Sequence, residues 1–306
     1  PVGEVWEASQ DDGSRYVALL SVEGFDDPEG VFVAALEASA DVPSNAAVPW
    51  TDGGEQDGRF WLVSPLQGDL SFGELVAREG GLAPAAAAPL IHQVAAVLKS
   101  AQQEGVLHHW LNAELVRLVS DGDGALGVRV YGFGLAGAVP GYRPLNKTAP
   151  FLGAPNTMAP EQCEGQESTS QSDIYAMGIL LYQAIRERPP FAPRSDRVST
   201  FTTLKRQIFE KPLALHIRYG KLEHIRPYQD LTMSALAKPP GERPEGAGAL
   251  LDSLASLITD VMGGELTDPD GVTGSTAPPP EAWEDEAPEE EAADETPEEE
   301  AADETP

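Results

Sequence analysis

The chain has 306 residues, 41% of them hydrophobic, which is enough for one large two-lobed domain or two small ones. Its formal net charge of −30 is concentrated at one end, since residues 281–306 hold 14 Asp and Glu and no Lys or Arg. There is no basic stripe and no run of 18 apolar residues, so neither nucleic acid binding nor a membrane span within this chain is expected. The single cysteine, Cys163, excludes an intramolecular disulfide and a multi-cysteine zinc site.

The first 66 residues are predicted to form strands and one helix. "EVWEA" and "RYVALLSV" have strand composition and are separated by the turn signal "SQDDGS". "PEGVFVAALEAS" has the apolar spacing of a helix and a proline at its start. "AVPW" and "RFWLVSPL" flank "TDGGEQDG", which predicts a second hairpin.

The remainder is predicted to be mainly helical. Helices are expected over 69–79 and 84–104, followed by two short strands, "LVRLV" and "GVRVYG", joined by "SDGDGA". A Gly/Pro-rich loop spans about residues 135–157, a length typical of functional or disordered segments. After Ala159 the pattern is again helical, with "DIYAMGILLYQAI" apolar enough to be buried and a last helix over about 245–261.

Residues 263–306 are predicted to be a disordered acidic tail. The segment "EEEAADETP" occurs twice in tandem, and such a composition buries too little apolar area to offset the entropy lost on ordering. We interpret the tail as a solvated linker or, alternatively, as a docking segment for a basic partner. Trp283 in "EAWEDE" is its one candidate anchor.

The order of motifs resembles the bacterial serine/threonine protein kinase-like fold over about residues 1–262. The most specific motif is "MAPEQ", followed by "SDIYAMGILLYQAIRERPPF" and "LAKPPGERP". "EGVLHHWLNAELVRL" resembles the family's catalytic loop, "YGFGLAG" its metal-binding turn and "RYVALLSV" its lysine-bearing strand. The resemblance implies an α+β, bilobal fold with a small, mostly β N-lobe over 1–66 and a larger, mostly α C-lobe over 67–262.

The same resemblance implies a set of structural residues. Glu161 and Arg243 correspond to a buried ion pair, and Glu37 to the helix glutamate that pairs with the strand lysine. The other implied packing residues are His108, Phe133, Gly134, Asp173 and Gly178. The family also has a strand and a glycine-rich loop before "GEVWEA", and only Gly3 of that loop is present. The missing strand would be internal to the N-lobe sheet, so we expect either that the chain is a fragment or that another segment fills the place.

Every catalytic position implied by the resemblance carries a residue without the required chemistry. Phosphoryl transfer depends on positioning and charge neutralisation, and Mg²⁺ requires oxygen ligands. The strand lysine falls on Leu20, the catalytic aspartate on Trp110, the metal-binding asparagine on Leu115 and the metal-binding aspartate on Gly132. The loop lysine falls on Asn112 and the arginine beside the catalytic aspartate on His109. No cofactor or metal site is therefore expected.

These substitutions predict a catalytically inactive pseudokinase that acts as a protein-binding or regulatory scaffold. The expected partner is another protein, such as an active signalling kinase, and the expected location is the cytoplasm or the cytoplasmic part of a longer membrane protein. Two alternatives are a sensor that binds ATP through backbone groups near Pro65–Gln67, and an unorthodox nucleotide-dependent transferase.

Several residues also have simpler interpretations. Trp110 is either a plug in the vacated cleft or ordinary core. His108 and His109 could form a metal site, but no third ligand is nearby in sequence, so His108 is interpreted as a packed core histidine. His92 is interpreted as a helix-surface residue. Asp121 and Asp123 resemble part of a calcium loop, but no downstream glutamate completes it, so a hairpin turn is predicted. Cys163 is interpreted as a packed thiol.

Overall fold

The structure is a computed structural model, and it describes residues 3–21, 30–120, 126–135, 155–193, 199–215, 222–261 and 263. It confirms the predicted fold class: an N-terminal part made of strands and one helix precedes a mainly helical part. Most of the 135–157 loop, the turn holding Asp121 and Asp123, and nearly all of the acidic tail lie outside the described residues. Among the described helices, none is both long and apolar enough to cross a membrane.

An antiparallel sheet of four strands forms the N-lobe, together with helix α1. The strands follow the order β1, β2, β5, β4, and β1 pairs with β2 along its whole length, from Gly3 opposite Ser21 to Ser9 opposite Arg15. In the described part of the sheet, β1 and β2 are thus direct neighbours. Its elements are β1 (Gly3–Ser9), β2 (Arg15–Ser21), α1 (Val31–Ala40), β4 (Asp52–Gln56) and β5 (Arg59–Pro65).

The predicted pairing of "AVPW" with "RFWLVSPL" is wrong. The intervening stretch itself forms β4, which pairs with β5 through a two-residue turn at Asp57 and Gly58. Both turn residues have positive φ, 53° and 73°, as the turn that matches strand twist requires. Strand β3 (Ala47–Val48) instead pairs in parallel with the end of β8 (Leu126–Tyr131).

The second sheet lies beneath the first and leads into the turn at residues 131–134. Its order is β3, β8, β7, β6, and β7 and β8 form the predicted antiparallel pair, closing with Ser120 opposite Leu126. Ser71, which ends β6, caps the next helix: its Oγ accepts from Glu74 N, and the Glu74 carboxylate accepts from Ser71 N. The remaining strands are β6 (Leu70–Ser71), β7 (Val116–Ser120) and β8 (Leu126–Tyr131).

The C-lobe is built around helix α5, whose residues are buried on almost all sides. It packs against α3 and α7, and Gly178 allows the close approach, because a Cβ there would lie 3.0 Å from the Ala235 Cβ. This burial on every side explains why the helix is apolar all round rather than along one stripe. The helices are α2 (Phe72–Arg78), α3 (Pro84–Gln103), α4 (Pro160–Glu164), α5 (Ser170–Arg186), α6 (Thr200–Phe209), α7 (Leu222–Ala235) and α8 (Ala247–Ser256), which continues as a π-helical turn over Leu257–Val261.

Glu161 and Arg243 join the start of α4 to the segment before α8 through a buried ion pair. Two parallel hydrogen bonds of 2.7 and 2.8 Å connect the guanidinium to the carboxylate, and the Arg243 side chain is fully buried. The remaining guanidinium hydrogens reach the carbonyl oxygens of Ala237, Lys238 and Gln171. Burial alone would raise the pKa of Glu161, but the hydrogen bonds and charge of Arg243 outweigh it and hold the pKa below its usual value.

Replacing Arg243 by alanine should destabilise the fold by about 3–5 kcal/mol, because it leaves the Glu161 carboxylate buried without its counter-charge. Chemical denaturation measures the change. Arg78→Ala is the matched control, since Arg78 pairs with Glu79 at the surface and should cost less than about 1 kcal/mol. Equal effects of the two substitutions would contradict the structural role assigned to the buried pair.

Candidate functional site

The site lies between the two lobes, where the segment 108–115 meets the turn at 131–134. The structure brings Trp110, Leu115 and Gly132 together at this place. Asn112 lies beside them but acts on the backbone: its Oδ1 accepts from Glu114 N, and its Nδ2 donates to Trp110 O. The position that corresponds to the loop lysine therefore caps the short 3₁₀ turn Ala113–Leu115.

Three consecutive backbone carbonyls of the turn accept hydrogen bonds from side chains. His108 Nε2 bonds Tyr131 O at 2.8 Å, and Trp110 Nε1 donates to Gly132 O at 2.6 Å. Trp50 Nε1 donates to Phe133 O at 3.2 Å. These buried carbonyls would otherwise lack donors, so the two indoles and the imidazole fix the conformation of the turn.

Gly132 and Trp110 are sterically coupled. Gly132 has φ +96°, and a Cβ built on it would lie 2.8 Å from Trp110 Nε1 and 3.0 Å from two further indole atoms. One contact under 3.0 Å and two at 3.0 Å with a rigid, buried ring leave no room for a side chain at residue 132. The indole of Trp110 therefore fills the space in which an aspartate at position 132 would begin.

One apolar cluster joins the lobes across this site. It contains strand residues of the N-lobe, the inner face of α1 and the residues around the turn, and we call it the lobe-bridging cluster. Its buried members are Val17, Leu19, Phe32, Ala35, Val48, Trp50, Leu62, Trp110, Leu115, Tyr131 and Leu135.

The strand residue that faces this cluster is Leu19, not Leu20. Side chains alternate along a strand, so Val17 and Leu19 point into the cluster while Leu20 points to the opposite face, where it lies near Trp61. Leu20, to which the resemblance assigns the strand lysine, thus points away from the cluster. Neither Leu20 nor Leu19 carries a charge.

Glu37 does not face the site. It is exposed on α1 and makes no hydrogen bond or ion pair with any residue that the structure describes. The helix packs through Phe32, Ala35 and Ser39, which share the opposite face. Gly134, with φ +85°, lets this helix come close to the turn, because a Cβ there would lie 2.8 Å from Ala35 O.

Asp173, at the start of α5, positions the segment that carries Trp110. Its carboxylate is fully buried and accepts from the backbone N–H groups of His108 at 3.0 Å and His109 at 2.6 Å. Burial raises the pKa of Asp173 to about 6, against the opposing effect of these two donors. His109 has φ +64°, and the two hydrogen bonds hold this unusual backbone geometry. Phe133 packs on the imidazole of His108, with ring centroids 4.7 Å apart.

The segment Pro65–Gln67, which connects the lobes, uses its backbone groups within the protein. Tyr131 Oη donates to Pro65 O and accepts from Gln67 N, both at 2.8 Å. Leu66 N donates to Arg15 O. The sequence suggested that backbone groups of Pro65–Gln67 could bind a nucleotide base, but these three groups already bond within the protein.

Arg117 is a site residue that the sequence reasoning missed. Its nearly buried guanidinium lines a cavity of about 350 Å³ between the lobes, together with Trp6, Val17 and Trp110. Arg117 Nη1 lies 2.8 Å from Glu7 of the N-lobe and 3.7 Å from Glu74 of α2, and Nη2 donates to Gly68 O. A charged residue inside the apolar strand "LVRLV" was the available signal.

Comparison with known proteins identifies the family. Residues 3–253 match the family model described as the protein kinase domain. This chain belongs to the protein kinase family. It is 32% identical over 263 residues to serine/threonine-protein kinase PknD of Mycobacterium tuberculosis, covering 84% of this chain and 38% of that kinase.

Two further relatives carry the same description. Serine/threonine-protein kinase PknH of Mycobacterium bovis is 27% identical over 265 residues, which cover 85% of this chain and 42% of PknH. Serine/threonine-protein kinase PknE of Mycobacterium tuberculosis is 28% identical over 215 residues, which cover 69% of this chain and 37% of PknE. The chain thus spans less than half the length of the curated relatives it matches.

The residues of this kinase-family site do not fit a magnesium–nucleotide complex. Leu115 and Gly132 offer no side-chain oxygen, and the indole of Trp110 occupies the space beside Gly132. Leu19 and Leu20 of β2 carry no charge that could meet a phosphate, and Leu19 is completely buried. Among the described residues, no group of three His, Cys, Asp or Glu side chains is arranged to hold a metal ion.

The coupling between Trp110 and Gly132 predicts a non-additive pair of substitutions. Gly132→Ala should cost about 2–3 kcal/mol, from strain at positive φ and from collision with the indole. In a Trp110→Ala background the same change should cost about 1–2 kcal/mol less. Gly58→Ala is the control, since Gly58 has φ +73° but nothing within 4 Å of its Cβ position. Additive free energies of unfolding would show that the two residues do not touch.

The buried pair His108 and Asp173 predicts opposing pH dependences. Burial lowers the pKa of His108 from 6.5 to about 4, so its contribution to stability falls as pH drops through that interval. The raised pKa of Asp173 gives the reverse: its contribution is present below about 3.8 and is lost as pH rises through 6. Each is worth at most about 3 kcal/mol.

Relative to the wild type, His108→Gln should therefore gain stability as pH falls from about 6.5 to about 4, and Asp173→Asn should lose it. Denaturant titrations at several pH values measure both differences. If the wild type and both variants showed the same change of stability with pH, the lowered pKa of His108 and the raised pKa of Asp173 would be contradicted.

Proposed function

We propose that this chain is a catalytically inactive member of the protein kinase family that acts by binding another protein. The observation that carries this proposal is the contact between Trp110 and Gly132. A bulky indole stands at the position corresponding to the catalytic aspartate, and it fills the space required by the metal-binding aspartate. Tryptophan at residue 110 thus supports two losses: the catalytic carboxylate is missing there, and the indole obstructs a metal-binding carboxylate at residue 132.

The surroundings of the site support the same proposal. The lobe-bridging cluster replaces charged and polar catalytic groups with apolar ones, and burying a phosphate against such a surface leaves its desolvation uncompensated. Tyr131 satisfies two backbone groups of the segment that connects the lobes. General acid–base assistance alone is worth roughly 10²–10⁴ in rate, and no group for it is present at Trp110.

Structural features of the kinase fold are retained without its catalytic groups. The ion pair of Glu161 with Arg243, the hydrogen bonds of Asp173 and the packing of Gly178 all serve the C-lobe scaffold. A domain that keeps its shape but lacks catalytic chemistry is suited to recognition. We therefore assign the function to its surface, with a protein as the partner class.

The proposal predicts no phosphate transfer from Mg²⁺–ATP to the chain itself or to a general protein substrate. Incorporation of labelled phosphate over time is the measurement, with an active serine/threonine kinase domain assayed in parallel. Trp110→Ala is the matched variant. Labelling that follows the wild-type chain through purification and changes in rate in the variant would overturn the proposal, whereas labelling equal in both would identify a contaminating kinase.

Nucleotide binding measured by calorimetry extends the same test. We expect a Kd for Mg²⁺–ATP no tighter than roughly 1 mM, about −4 kcal/mol, because cation and metal-ligand groups are absent from the matching positions. Micromolar binding that requires Mg²⁺ would favour an unorthodox nucleotide-dependent transferase. Micromolar binding that is indifferent to Mg²⁺ would favour a nucleotide sensor, leaving the absence of catalysis intact.

A further inference from the structure

Helix α6 presents an apolar face to solvent. It packs on α4 through its other face, where Thr203, Leu204 and Gln207 are buried. Phe201 and Phe209, separated by two helical turns, are 49% and 76% exposed. Two exposed phenylalanines on one short helix form a hydrophobic patch, and such patches are typical of interaction sites.

The same face is positively charged. Lys205 lies between the two phenylalanines in sequence, and its Nζ stands 4.6 Å from the centroid of the Phe201 ring. Past the end of the helix, Lys211 is exposed and Leu213 is 52% exposed. We call Phe201, Lys205, Phe209, Lys211 and Leu213 the α6 face. A partner that fits it carries an aromatic or aliphatic group beside negative charges.

The charge distribution of the chain points to one such partner. Residues 186–226 hold ten of the 20 Lys and Arg against four Asp and Glu, although the whole chain has a net charge of −30. Residues 281–306 hold 14 Asp and Glu and no basic residue, and they contain Trp283 within "EAWEDE". The basic stretch 186–226 and the acidic stretch 281–306 thus belong to one molecule. The basic stretch contains the exposed Phe201 and Phe209, and the acidic stretch contains Trp283.

We propose that residues 281–306 bind the α6 face of the same chain. Trp283 packs against Phe201 and Phe209, and the acidic residues that follow it surround Lys205 and Lys211. The distance permits this, because the 20 residues from Gly263 to Trp283 span up to roughly 70 Å when extended. A domain of about 260 residues has a radius of gyration of only about 18 Å. The proposal does not depend on the catalytic state of the domain.

The test is zero-length carbodiimide cross-linking of the full chain, which joins lysine amines to carboxylates in contact. Lys205 and Lys211 should form the main cross-links to residues 281–306, in a product with the mass of one chain. Lys99 is the internal control. Its side chain lies near Gly248, at the start of α8 and outside the α6 face, so it reports how often the tail meets a lysine elsewhere on the same lobe.

Two variants keep every amine and carboxylate but remove the apolar contacts: the double change Phe201→Ser with Phe209→Ser, and Trp283→Ala. Each should lower the Lys205 and Lys211 cross-links severalfold and leave the Lys99 yield unchanged. Both exchanged phenylalanines are exposed, so the fold is retained, and thermal unfolding verifies it. The yield should also fall as salt rises from about 0.01 M to about 1 M, which shortens the Debye length from about 30 to about 3 Å.

Three results would overturn the proposal. Cross-links at Lys99 equal to or above those at Lys205 and Lys211 would show a tail that does not bind the α6 face. The expected cross-links in a product of two chains would assign the face to a second copy. Cross-links unaffected by the serine and alanine variants would show attraction of charge alone, without the aromatic contact.

Discussion

The carbonyl oxygens of Tyr131, Gly132 and Phe133 lie in the interior between the lobes, and the rest of the site is organised by their need for hydrogen-bond donors. The donors are His108 and Trp110, which belong to one segment, and Trp50 from the N-lobe. Because an indole nitrogen can only donate, each tryptophan is held in one orientation by the carbonyl it serves. The two indole rings then pack with Leu19, Leu115 and Leu135, and this packing connects the N-lobe to the C-lobe. The hydrogen-bond requirement of one short turn thus leads to an apolar interface between the lobes.

The interface is reinforced at its rim by charges. Glu7 of β1 contacts both Arg15 of β2 and Arg117 of β7, and Arg15 also reaches Asp69. Single exposed pairs contribute little, and Glu7 and Arg15 are each nearly half exposed, so the apolar cluster supplies most of the connection. The buried guanidinium of Arg117 is the exception, since it lies inside the cavity and its nearest carboxylates come from both lobes. For a binding module, the function proposed above, such contacts favour a fixed shape, which lowers the cost of ordering on binding.

Much of this arrangement was predictable from the sequence, and the errors have identifiable physical causes. The fold class follows from the order of motifs, and the helices follow from apolar spacing. Strand β4 was missed because "DGGEQ" has no strand composition; it forms only because β5 supplies the partner. Which residues of "VALL" face the lobe-bridging cluster could not be predicted, because this stretch is apolar on both faces and alternation gives no signal. Glu37 was placed by correspondence, although the spacing of Phe32, Ala35 and Ser39 assigns it to the outer face. Neither the contact of Trp110 with Gly132 nor that of Arg117 with Glu7 is local in sequence, and both required the folded chain.

The absence of a side chain at Gly132 also constrains how this protein can change over generations. An aspartate introduced at residue 132 alone collides with the indole of Trp110, and an aspartate introduced at residue 110 alone removes the donor from a buried carbonyl and empties part of the apolar cluster. Each single step toward catalytic chemistry therefore lowers stability before any activity can be selected. Only simultaneous exchange at both positions avoids this intermediate, and a magnesium site would still need an oxygen ligand in place of Leu115. On the proposed function, the packing around Gly132 therefore opposes a gain of catalytic activity by single substitutions.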